Sequence, residues 1–232
     1  MKITRLAATL AAAALLIGAA PPRAAAPAGK ANWNANASVT PIGSHTVGNP
    51  NAPVKLAEYV SYTCPHCAHF EGEADGPMRI AYVSQGKLQI EVRHLVRDPI
   101  DMTVALLTNC GSPARFFLNH AAFMRSQTTW IQPMVTASAA QRQRWTSGDN
   151  LARLRAIAAD FRFYDIMATR GYSRPEVDRC LADQAMARKL VAMTEGAAEL
   201  GVNSTPSFVV NGVLLAGTHD WEMLQPQLAA RM

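Results

Sequence analysis

Cys64-Pro65-His66-Cys67 is the segment with the clearest capacity for chemistry. It directly follows the strand-like run Val54-Lys55-Leu56-Ala57-Glu58-Tyr59-Val60 and opens a stretch compatible with a helix from Pro65. That placement puts Cys64 at a helix N-terminus, where unpaired backbone N–H groups and the positive end of the helix dipole favour an anion. A thiolate is such an anion. The spacing therefore points to a nucleophilic Cys64 and a resolving Cys67 one helical turn later, the arrangement that thiol–disulfide exchange requires. His66, between them, can donate a hydrogen bond or positive charge to the Cys64 sulfur. Two other uses of the same residues stay open at this point. One is a structural disulfide, although a bond closing so short a loop removes little chain entropy. The other is a metal site built from Cys64, Cys67 and His66 or His69, although no second Cys-x-x-Cys completes a zinc set.

The elements that must hold this segment can be read from periodicity. Val54 to Val60 forms the first clear strand. A helix over 65–85 follows, with Gly72 and Gly76-Pro77 predicting a kink or break. Leu88-Gln89-Ile90-Glu91-Val92-Arg93 alternates apolar and polar, as a half-buried strand does. From 100 to 200 the apolar residues recur at helical spacing, with helices expected near 101–109, 113–126, 134–145, 150–158, 161–170, 174–182 and 184–200. Phe116, Phe117, Phe123, Met124 and Trp130 read as the core of that block. Strand texture returns at Ser207-Phe208-Val209-Val210, and Asn211-Gly212 signals a two-residue hairpin before Val213-Leu214-Leu215. Asp220 caps a last amphipathic helix. The order strand–helix–strand, helical block, strand–strand–helix is most economically one α/β sheet interrupted by an all-helical insertion.

The start of the chain reads as a secretory signal peptide over residues 1–26: Lys2 and Arg5, an apolar run from Leu6 to Ala20, and small residues at Ala24-Ala25-Ala26. An uncleaved N-terminal anchor is the alternative. Residues 27–50, rich in Ala, Asn, Pro and Gly, read as a flexible segment. Without residues 1–26 the formal charge falls from +5 to +2. No basic stripe with interleaved aromatics is present, which argues against nucleic acid as a partner. Cys64, Cys67, Cys110 and Cys180 all lie in the exported part, and an even count there suggests two disulfides. The spacing of Cys110 and Cys180 favours a structural bridge tying the first part of the helical block to its last. A second redox pair is the alternative. His45, His94, His120 and His219 have no evident partner and read as structural or surface residues.

Three stretches together resemble the DsbA family of periplasmic thiol:disulfide oxidoreductases: Ala52-Pro53-Val54 leading to Glu58-Tyr59-Val60, then Cys64-Pro65-His66-Cys67, and finally Val202-Asn203-Ser204-Thr205-Pro206-Ser207-Phe208. The resemblance implies a thioredoxin fold with an inserted all-helical domain. Its parts would be 51–98 (βαβ), 99–200 (helical insertion) and 201–232 (ββα). It implies a cis Thr205–Pro206 bond whose backbone edge, with Pro65, meets an extended substrate. Glu58 matches the family's buried acid and would accept a proton from Cys67; the alternative is a surface strand glutamate. Glu71, on the following helix, reads as solvated, with assistance to Glu58 as the alternative. A second disulfide at Cys110 and Cys180 resembles one branch of DsbA-like proteins. The implied activity is donation of a Cys64–Cys67 disulfide to reduced or unfolded exported proteins, with no metal or organic cofactor. A DsbB-type membrane quinone-linked oxidase would restore the disulfide. Thr205, where the best-known DsbA oxidases carry valine, keeps an isomerase or reductase open on the same fold. A chaperone or binding module without turnover is a further alternative. The expected state is a monomer in the periplasm, because 27–50 is too short and polar for a dimerisation domain.

Overall fold

The computed structural model describes residues 31–232, so the signal-peptide assignment to residues 1–26 lies outside the described part. Residues 27–30 of the segment 27–50 also lie outside the described part, and the rest of it is not the flexible lead-in its composition suggested. From Asn32 it carries a short 3₁₀ turn (Trp33–Ala35) and two strands, β1 (Ala37–Val39) and β2 (His45–Gly48). Its asparagines serve as turn chemistry. Asn36 Nδ2 donates to the Gly48 carbonyl at 2.8 Å and Asn49 Nδ2 to that of Gly86 at 3.0 Å. Gly48 is required: its φ is +120°, and a Cβ would lie 2.5 Å from the Leu88 carbonyl oxygen.

The remaining strands are β3 (Val54–Val60), β4 (Leu88–His94), β5 (Ser207–Val210) and β6 (Val213–Leu214), in the sheet order β1-β2-β4-β3-β5-β6. β3 and β4 are parallel and joined by helix α1 (Pro65–Met78), as a crossover requires. The other pairings are antiparallel. Asn211 and Gly212 both take positive φ, the geometry of a tight two-residue hairpin. Gly76-Pro77 does not break α1. The helix runs through Pro77 and widens into a π-type turn over Arg79–Val83, where Ser84 N–H bonds the Arg79 carbonyl.

The helical block comprises α2 (Pro99–Thr108), α3 (Pro113–Arg125), α4 (Gln127–Trp130), α5 (Pro133–Thr136), α6 (Ala139–Thr146), α7 (Asn150–Asp160), α8 (Phe163–Thr169), α9 (Arg174–Leu181) and α10 (Gln184–Glu199). The stretch 134–145 is two helices, because Ser138 forms a capping box with Gln141 and starts a new one. Phe116, Phe117, Phe123, Met124 and Trp130 are buried as expected. Phe123, Trp130, Phe161 and Phe163 pack edge to face or tilted.

Met193 and Ala197 of α10 pack on the sheet face formed by Ala57, Tyr59 and Val209. The opposite face, with Leu56 and Val60, packs against α1 and the closing helix α11 (Trp221–Ala229). The apolar core continues from this face into α2, α3 and α7, so block and sheet share one interior.

Candidate functional site

Cys64 is the N-cap residue of α1, in extended backbone geometry, and Pro65 occupies the first turn, where no N–H is needed. The turn leading into it is clamped by the helical block. Gln127 of α4, fully buried, donates through Nε2 to the carbonyls of Tyr62 (2.6 Å) and Cys64 (2.8 Å). Asp101 of α2 accepts from the Tyr62 N–H at 2.7 Å and the Ser61 hydroxyl at 2.6 Å. Asp98, the N-cap of α2, accepts from the Thr63 hydroxyl at 2.7 Å. Sequence reading missed these three. Asp98-Pro99 was a legible cap signal, but nothing local marked Gln127.

The second half of the site arrives from the far end of the chain. The Thr205–Pro206 peptide is cis, and the Thr205 carbonyl accepts from the Cys64 thiol at 3.1 Å. Ser207 Oγ donates to the Ser204 carbonyl, and His219 Nδ1 donates to the Pro206 carbonyl at 2.8 Å. Both bonds hold the loop in place.

Cys64 and Cys67 are free thiols, 2% and 0% exposed, and their environments drive them apart. The Cys64 pKa falls from 9.0 to about 5. A hydrogen bond from the Cys67 thiol is the first cause, opposed by burial. The Thr205 hydroxyl and the backbone N–H groups of Cys67 and His66 add to it. That hydroxyl has no partner in the thiol state and is therefore available to a thiolate. Cys67 is pushed well above 9.0, first by burial and then by its bond to Cys64. The His66 N–H is among the groups that hold Cys64 down; its imidazole is exposed, and among the described residues no hydrogen bond joins it to sulfur.

Glu58 on β3 is 2% exposed, and burial, then the charges of Glu71 and Asp75, push its carboxyl well above 4.5. Glu71 is not on a solvated face. It is buried one turn after Cys67 on the same side of α1, with Oε2 3.4 Å from His120 Nε2. His45, His94 and His120 are likewise neither scattered nor superficial. All three are buried around Phe116. Residues contributed by β2, β4 and α3 meet only in the fold, which is why no spacing announced them. Cys110 and Cys180 form a disulfide with a Cα separation of 5.6 Å, joining the end of α2 to α9 away from the thiol pair. Among the described residues no cluster of three or more His, Cys, Asp or Glu is arranged to hold a metal.

Comparison with known proteins agrees with this geometry. A family model described as Thioredoxin matches residues 40–230. Curated relatives from Rickettsia bellii and Rickettsia typhi, both named as protein-disulfide oxidoreductases, are 26% and 27% identical over 172 and 169 residues. Each match covers 72% of this chain and 56% and 54% of the relative, so the chain spans about half the length of the curated relatives it matches. A crystal structure of a protein-disulfide isomerase from Novosphingobium aromaticivorans is 58% identical, with TM-score 0.79, covering 81% of this chain and 96% of that one. Wolbachia pipientis alpha-DsbA1 is 22% identical with TM-score 0.63, covering 80% and 88%, a likeness of fold.

Proposed function

The chain belongs to the thioredoxin family, and on that premise we propose that it is a DsbA-like periplasmic thiol:disulfide oxidoreductase. It donates a Cys64–Cys67 disulfide to reduced, incompletely folded exported proteins. The observation that carries this reading is the opposed behaviour of two neighbouring thiols. Cys64 is held at about 5 while Cys67 is raised, so one sulfur is a good leaving group and the other a proton carrier.

Written in that direction, a substrate thiolate attacks Cys64 Sγ and the Cys64–Cys67 bond breaks. Cys67 leaves with the electron pair and takes a proton, for which buried Glu58 is the donor. A second substrate thiolate then attacks the substrate sulfur of the mixed disulfide. Cys64 leaves as a stabilised thiolate, and the substrate gains a disulfide as the protein gains two electrons. In reverse, Cys67 resolves the mixed disulfide and Glu58 accepts its proton. Thr205, Pro206 and the exposed Pro65 form the surface for an extended substrate segment. Reoxidation falls to a DsbB-type membrane oxidase. The protein acts as a monomer without metal or organic cofactor, and the Cys110–Cys180 bridge is structural. The exported location rests on the residue 1–26 signal. Among the described residues no helix is long and apolar enough to cross a membrane.

A second reading, disulfide isomerisation, is favoured by the Novosphingobium relative described as an isomerase and by Thr205. Insulin reduction, oxidation of a reduced substrate and reactivation of scrambled ribonuclease, each with wild type and Cys64→Ser, test both. Oxidation lost in Cys64→Ser supports the donor reading. Ribonuclease reactivation that outpaces oxidation supports the isomerase. Equal behaviour of the two proteins rejects enzymatic exchange.

A further inference from the structure

The buried cluster behind Cys67 has a hydrogen-bond inventory that fixes where its protons sit. Thr108 Oγ1 donates to the Ala105 carbonyl, so toward Tyr62 it must accept, and the Tyr62 hydroxyl donates to it at 3.1 Å. The Tyr62 oxygen is then left as acceptor for its other neighbour, His120 Nδ1, at 2.9 Å. Nδ1 therefore carries a proton, and Nε2 is the ring nitrogen turned to Glu71 at 3.4 Å. A bare Nε2 facing an ionised carboxylate would set two acceptors against each other in a buried site, so a proton lies between them.

The surroundings leave His120 as the partner of that carboxyl. Glu71 and Asp75 lie one and two turns beyond Cys67 on α1, and Glu58 faces them from β3. Asp75 has its own cations, Arg79 and Arg125. The neighbouring His45 from β2 and His94 from β4 are kept neutral by burial and by His120, falling to about 4 and about 3. The Tyr62 hydroxyl stays protonated, its pKa raised chiefly by burial.

We propose that His120 is a positioning residue for the Cys64–Cys67 chemistry: pinned by Tyr62 through Nδ1, it holds Glu71 through Nε2 as a net neutral pair and leaves Glu58 as the group that exchanges the Cys67 proton. The proposal rests on the exchange reading above. With the pair neutral, no uncompensated charge lies one turn below Cys67 to oppose formation of its thiolate. Without His120, the Glu71 carboxyl has no partner of opposite charge, and any charge left there opposes formation of the Cys67 thiolate.

Ellman's reagent separates the two thiols. Cys64 thiolate attacks its disulfide and expels one thionitrobenzoate. Cys67 then gives up its proton, and its thiolate attacks Cys64 Sγ and expels the second thionitrobenzoate. The protein dithiol is oxidised and the reagent reduced. Stopped-flow traces of the reduced protein from about pH 5 to 9 therefore show two phases. For His120→Phe, which keeps a ring against Phe116, the second phase is expected to slow about tenfold at neutral pH. Its midpoint should move up by about one pH unit, with the first phase unchanged. His120→Gln keeps a donor but no charge and should shift alike, which preserves the test if His120→Phe folds poorly. The double variant Glu71→Gln/His120→Phe removes the stranded acid and should return the profile to that of wild type. A lowered melting temperature with an unmoved second-phase profile, a wild-type profile in His120→Gln, or no recovery in the double variant would each overturn the proposal. Absence of two-phase exchange in wild type would instead reject the exchange reading itself.

Discussion

Titrating the reduced protein is the sharpest test of the site. Cys64 goes from 9.0 to about 5, so at pH 7 about 99% of it is thiolate, against about 1% for an unperturbed thiol. A depressed folded-state pKa gives stability that is complete above 9, declines as pH falls through the window from 9 to 5, and is gone below 5. At pH 7 linkage puts the stabilisation of the reduced form at about 2.7 kcal/mol. The site opens beside the exposed Pro65 and His66, so screening reduces this to about 1.5–2.7 kcal/mol. For a two-electron couple that makes the disulfide about 30–60 mV more oxidising than a pair with no thiolate stabilisation. The assay is thiolate absorbance against pH, with the rate of alkylation as a second readout. Both should give one step near pH 5 and no second step before pH 9, because Cys67 is pushed the other way. Denaturation of the oxidised and reduced forms should show the reduced form gaining from pH 5 to 9 and no change below about pH 4. A thiolate midpoint at or above about pH 7, or a reduced form whose relative stability is flat across that window, would refute the electrostatic reasoning.

Thr205→Val removes a hydroxyl that helps hold Cys64 down; its thiolate midpoint should rise by about one pH unit, the worth of one hydrogen bond to a charged group, measured by the same absorbance titration. Glu58→Gln removes the buried carboxyl nearest the Cys67 proton. The second Ellman phase should slow by about 100-fold while the first is unchanged, and equal slowing of both would count against its role. Replacing Cys110 and Cys180 together by serine opens a loop of sequence separation 70. The loss of stability should be about 2–4 kcal/mol by chemical denaturation. The Cys64 midpoint should stay in place, and a moved midpoint would reject a purely structural bridge.

Rapid chemistry needs a rigid mount, and the mount here is made mostly by the helical block. Gln127, Asp98 and Asp101 anchor the carbonyls, hydroxyls and N–H groups of Ser61 to Cys64. The insertion thus sets the position of the nucleophile as well as covering it. This also accounts for the shared interior of block and sheet, since polar anchors at such depth require closely packed surroundings.

Local signals in the chain were sufficient for much of this. A strand-like run located β3, alternation of period two located β4, Asn211-Gly212 located the final hairpin, and Cys64-Pro65-His66-Cys67 located a helix start carrying two sulfurs, because each depends on neighbours within a few residues. Composition misled over residues 32–50, where asparagine and glycine mark turns around two strands, β1 pairs with β2, and the pairing of β2 with β4 is a long-range matter. Gly76-Pro77 misled in the other direction, since α1 runs on through Pro77 and widens only after it. The depth of a side chain was decided only by the tertiary structure. Glu71 was solvated on a helical wheel and is buried against His120; His45, His94 and His120 were unrelated in sequence and meet around Phe116. The opposed pKa values of Cys64 and Cys67 belong to the same class. They arise from the hydrogen bond between the two sulfurs, from desolvation, from Thr205 contributed some 140 residues away, and from Glu58 on β3. A charge responds to everything within several ångströms regardless of chain order. The sequence could therefore point to the two sulfurs, and only the fold could set their environments apart.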